Sequence, residues 1–191
     1  YQNAFIAASQ FEEKVYVIDS ENVAVGQHAL VEYALRMKDE GMDAASIADE
    51  LAESKKRIHT IALLDTLEYL KKGGRISKAA AFTGSVLSIK PVVGVVKGEV
   101  VVLGKARGAK HGNNLLIEQI GLCGGIDFTK PFSLGYTGLD DTLIKQYIEY
   151  SKTIWEGHTQ ALPISTVGGT IGTHVGPGAV AVAFFSPEET E

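Results

Sequence analysis

The sequence predicts an α/β fold, whose part after residue 58 has a mixed sheet with helices mainly on one face. Three observations lead there. Short apolar runs of strand length alternate with segments whose apolar residues recur at helical spacing. Two such runs, 91–96 and 99–103, flank Lys97-Gly98, which reads as a β-hairpin. The remaining runs are separated by helix-length segments, so the sheet is not a simple meander.

The elements follow in chain order. Residues 1–8 read as the interior of a helix already under way, which predicts further sequence upstream. Residues 15–20, Val-Tyr-Val-Ile-Asp-Ser, suit a buried strand with a polar end. Ala29, Leu30, Tyr33, Ala34 and Met37 recur at helical spacing, and Gly41 stops that helix. Asp43 can cap a second helix with Ile47 and Leu51 on its inner face. A domain boundary is expected near residue 58.

Residues 59–64 then read as a strand, and Asp65-Thr66 can cap a short helix over 67–72. A basic, glycine-broken turn follows: Lys71-Lys72-Gly73-Gly74-Arg75-Ile76-Ser77. Ser77 can cap a helix to Phe82, Gly84 breaks it, and 85–89 suit one more helical turn. After the hairpin come a helix (109–120), a strand (131–136), a long helix (140–155) and a strand (160–166). The last strand, 179–184, follows a loop of five glycines, one proline and His174. The acidic tail, 186–191, is expected to fray.

Composition bounds the function. The chain has 191 residues, 45% of them hydrophobic, enough for a sizeable core. A net charge of -5 gives no reason to expect nucleic acid as a partner. The single cysteine, Cys123, cannot form an internal disulfide and suits a reducing cytoplasm. No apolar run reaches transmembrane length, so no stable membrane insertion is expected. The five histidines are scattered and no CxxC or HExxH occurs, so neither a metal nor a catalytic constellation is expected. No serine stands in a GxSxG elbow.

His174 is the leading candidate residue. Glycine lets backbone approach a ligand closely, and a neutral histidine can offer an N–H. A loop-capping role for the same side chain weighs about equally. The Gly-Gly-Thr-Ile-Gly pattern lacks the Lys-Ser/Thr of a phosphate loop and precedes a strand, which argues against nucleotide binding. Arg75 is held in a turn by glycines and can grip a carboxylate or phosphate bidentately. The three lysines around it suit a solvated face. Residues 84–96 are apolar with small residues interspersed, which suits core or the wall of an apolar cavity.

These residues carry a resemblance. Leu64-Asp65-Thr66-Leu67-Glu68-Tyr69-Leu70-Lys71-Lys72-Gly73-Gly74-Arg75-Ile76-Ser77, then Leu87-Ser88-Ile89-Lys90-Pro91, then Gly172-Thr173-His174-Val175-Gly176-Pro177-Gly178 resemble the DegV family of bacterial fatty-acid-binding proteins. The resemblance implies a two-domain architecture. Residues 1–58 would be the latter part of an amino-terminal α/β domain, and 59–191 a carboxy-terminal domain that binds the lipid tail. It also implies that the first part of the amino-terminal domain, with a threonine and a serine at the carboxylate, lies before Tyr1.

The implied ligand is one long-chain, palmitate-like fatty acid held between the domains, with no other cofactor. The implied partner is a separate fatty acid kinase, which makes the acyl phosphate for phospholipid synthesis. The carrier itself would not be an enzyme. By resemblance His174 binds the carboxylate, and Arg75 lies near the head group or the kinase-facing surface. Val86, Leu87, Ile89, Val93 and Val95 are the expected tunnel lining. Two alternatives stand beside this reading: a transferase acting on a carboxylate or phosphate ligand through Arg75 and His174, and a partner-docking module.

Overall fold

A computed structural model describes residues 1–11, 15–76 and 89–188. In chain order the elements are α1 (Gln2–Ala8), α2 (Ala24–Asp39), α3 (Ala44–Ser54), a 3-10 turn (Lys55–Arg57), β1 (Ile58–Leu63), α4 (Glu68–Lys72), β2 (Ile89–Val96) and β3 (Glu99–Arg107). They continue with α5 (Gly108–Leu122), β4 (Ser133–Tyr136), α6 (Thr142–Tyr150), α7 (Lys152–Trp155), β5 (Ile164–Thr166), α8 (Gly169–Val175) and β6 (Val180–Phe185).

Among the described residues the strands form one six-stranded sheet in the order β3-β2-β1-β6-β4-β5. Every neighbouring pair is antiparallel except β4 with β5, so the sheet is mixed as expected. Lys97 and Gly98 both take positive φ, 51° and 77°, at the tip of the β2–β3 hairpin. That is the primed turn whose twist matches the flanking strands.

Alternation along the strands divides the apolar side chains between two faces. Ile61 and Leu63 of β1, with Val180, Val182 and Phe184 of β6, face one way. They pack with Leu116 and Ile120 of α5, Ile144 and Tyr147 of α6 and Trp155 of α7. Their strand neighbours Thr60, Ala62, Ala181 and Ala183 face the other way and are small. On that second face α2 joins Ile58 and Phe185 through Ala29, Leu30 and Met37. Leu70 of α4 and Val175 of α8 pack there beside Ala62 and Val93. After residue 58, α5–α7 share one face as expected, while the short α4 and α8 lie over the other, beside α2 from before that residue.

Three local expectations also change. Residues 15–20 form no strand; they are an irregular segment whose Val15 and Tyr16 are exposed and whose Ile18 leans on the α2–α3 cluster. Its turn residues bond to one another instead, Glu21 N–H to Asp19 and Asn22 N–H to Ser20. The long helix over 140–155 is two helices broken at Ser151. The Ser151 hydroxyl donates to Tyr147 O at 2.8 Å and accepts from Trp155 Nε1 at 2.8 Å. Finally, the glycine-rich loop contains a helix, α8. The expected helix at 77–82 and the break at Gly84 lie outside the described residues.

Candidate functional site: an apolar cleft beside His174

The site forms where α4 and α8 meet over the second face of the sheet. Two glycines permit the approach. A Cβ on Gly73, just past α4, would sit 2.2 Å from His174 Nδ1. A Cβ on Gly176, just past α8, would sit 2.3 Å from the Tyr69 ring, and Gly176 also has φ +77°. Each helix end therefore presents a bare backbone to a ring from the other. This interlock fixes where the imidazole lies.

His174 is half-buried, and its Nδ1–Cε1 edge is pressed against Gly73. Its Nδ1 is buried without a hydrogen-bond partner among the described residues. A buried polar atom left unpaired costs about 1–3 kcal/mol. Arg75 is exposed, and its Nη1 donates to Gly73 O at 2.8 Å. Arg75 and His174 thus meet through Gly73.

Under α8 runs an apolar cleft, partly open to solvent, with a cavity volume of ≈ 60 Å³. Its floor takes Val100 from β3, Val93 and Val95 from β2, Thr60 and Ala62 from β1, Ala181 from β6 and Gly135 and Tyr136 from β4; Val167 follows β5. Its other walls are Val23, Ala24 and Val25 at the start of α2, and Ile171 and Val175 of α8. The floor thus draws on five adjacent strands, from β3 to β4. The Thr60 hydroxyl on its floor is satisfied, donating to Asn22 Oδ1 at 2.7 Å. A more polar recess adjoins it, lined by His28, Ser165, Thr166 and Thr170 and sharing Val25 and Ile171.

Of the residues expected to line a tunnel, Val93 and Val95 are on the cleft wall. Ile89 is half-buried at the start of β2, paired with Arg107 and away from the wall. Val86 and Leu87 lie outside the described residues. His174 is next to Val175 on α8 but is not itself a wall residue. Ile171 and Val175 were overlooked, although their i, i+4 spacing is a helical signal legible in the sequence. Gly73 as the seat of the imidazole and the start of α2 as a cleft wall had no local signal, because both depend on tertiary contacts.

Among the described residues no group of three or more His, Cys, Asp or Glu side chains could hold a metal ion. Cys123 is half-buried, and burial pushes its thiol above the ordinary range. No helix is long and apolar enough to cross a membrane among the described residues.

A family model described as an uncharacterised protein of the DegV family matches residues 1–187. A DegV domain-containing protein of Caldanaerobacter subterraneus subsp. tengcongensis is 32% identical over 187 residues, which cover 96% of this chain and 65% of the relative. A Thermus thermophilus DegV family protein, solved for its fatty acid binding, is 26% identical with a TM-score of 0.82. That match covers 97% of this chain and 66% of the other. The fatty acid binding DegV family protein of Streptococcus agalactiae is 27% identical with a TM-score of 0.78, over 98% of this chain and 65% of the other. The chain thus spans just under two thirds of the length of these relatives. With the family model matched over nearly all of it, the chain belongs to the DegV family.

Proposed function

We propose that the chain is a fatty-acid carrier that performs no catalysis of its own. A long acyl chain lies in the apolar cleft under α8, and its carboxylate reaches His174. The observation that carries this reading is the juxtaposition itself: an apolar cleft lined from five adjacent strands, with an imidazole one residue from its wall. The fatty acid binding reported for the Thermus thermophilus and Streptococcus agalactiae proteins supports it.

The energetics divide between the two ends of the ligand. Burial of each CH₂ contributes about 0.8 kcal/mol, so the tail supplies most of the affinity. The head group sets orientation, through the His174 ring nitrogen that is not pressed on Gly73. Arg75 is exposed beside exposed Lys71 and Lys72; in this reading it faces a separate fatty acid kinase that meets the carboxylate. A guanidinium there suits a carboxylate or an acyl phosphate. The division into 1–58 and 59–191 is part of the same proposal. No cofactor is needed by a carrier of this kind.

Calorimetric titration with palmitate and with its methyl ester tests the assignment. His174→Ala should weaken palmitate by on the order of 1–3 kcal/mol, the cost of one lost head-group hydrogen bond. The ester, which lacks the charged head, should bind both forms alike. Equal palmitate affinity in the two forms would remove His174 from the site.

A further inference from the structure

Thr137 follows β4, and all of its polar groups converge on one turn. Its N–H donates to Ala179 O at 3.0 Å, and its O accepts from Gly178 N at 2.9 Å. Its hydroxyl donates to Gly176 O at 2.6 Å and accepts from Ala179 N at 2.9 Å. Four hydrogen bonds from one residue therefore clasp the turn 176–179. Thr137 is 6% exposed, so none of these bonds is readily replaced by water.

The clasped turn begins two residues after His174. Gly176 N also closes the last turn of α8, donating to Gly172 O at 2.8 Å. At the other end of the same segment, Val167 N donates to Tyr136 O at 2.8 Å. Two consecutive residues at the end of β4 thus hold both ends of the segment that carries α8. The helix needs such a frame. It has seven residues, two of them glycine, no side-chain cap and no fully buried residue. A helix of that length and composition is marginal by itself.

We infer that Thr137 is a positioning residue for His174: its hydroxyl fixes the turn after α8 and so sets the imidazole on Gly73 and at the cleft. The inference rests on the fatty-acid reading for its functional consequence, but its structural half does not. Thr137→Val keeps the side-chain volume and removes the donor to Gly176 O and the acceptor for Ala179 N–H. Thr137→Ser keeps both.

Ring ¹⁵N spectra of the histidines test the structural half without any lipid. In Thr137→Val the His174 ring signals should shift, while those of His28, His59, His111 and His158 stay in place. In Thr137→Ser they should match the unsubstituted chain. Palmitate affinity should fall about tenfold in Thr137→Val, as for one lost head-group contact, with methyl palmitate unchanged. If Thr137→Val does not fold, Thr137→Cys, a weak donor and acceptor of similar size, should give a smaller shift of the same signals.

Unmoved His174 signals in folded Thr137→Val overturn the inference. So does a shift in Thr137→Ser as large as in Thr137→Val, which would assign the effect to the methyl group. If the unsubstituted chain binds no palmitate, the fatty-acid reading fails, and the ring spectra still decide whether Thr137 positions His174.

Discussion

At the scale of single residues, histidines in this chain serve opposite ends. His174 has a buried nitrogen without a partner at the edge of a cleft, whereas His59 on β1 lies against the Phe184 ring, 5.4 Å between centroids. Burial lowers the His59 pKa below its ordinary 6.5. The unfolded chain therefore binds a proton more readily than the folded one as pH falls below about 6.5. His59 contributes its full share of stability above that value and loses it as pH falls through the lowered one. The thermal midpoint should accordingly drop between pH 7.5 and pH 5, and His59→Phe should flatten that drop. An unchanged slope in the variant would show that other groups set the acid limit. His174 was legible as a candidate because glycines surround it. Gly73 and Thr137 were not, since each acts on a residue about a hundred or about forty positions away.

At the scale of elements, legibility followed how local the determining physics is. The hairpin was readable because Lys97-Gly98 supplies both positive-φ positions within two residues. The start of α3 was readable because Asp43 accepts from Ala45 N and Ser46 N at 3.0 and 3.1 Å. The α8 segment was misread because its glycines argue against helix by about 1 kcal/mol each, and packing of Ile171 and Val175 outweighs them. Residues 15–20 have strand composition, but among the described residues no strand pairs with them. The break at Ser151 depends on a buried tryptophan N–H claiming the serine hydroxyl. Gly98→Ala tests the hairpin account. It places a Cβ at φ +77° and should lower stability by about 1 kcal/mol, read as a shift in the urea midpoint with unchanged slope. No shift would mean that strand pairing alone sets the turn.

At the scale of the whole molecule, the sheet has two unlike faces. One is filled by large side chains under α5–α7, whereas the other carries threonine, alanine and glycine at its centre. Small residues on that face leave the room that the cleft occupies, and α8 and the start of α2 close over it. The fold class was legible from alternation and the hairpin. Which face would stay open was not, because it depends on where α2 lies. The central claim, that this open face holds a long-chain fatty acid, is tested most directly by native mass spectrometry of the chain purified from bacterial cells, followed by lipid extraction. The account predicts a bound species of fatty-acid mass at one per chain, replaced on addition of palmitate. A chain that carries no fatty acid and takes up no added palmitate would contradict it.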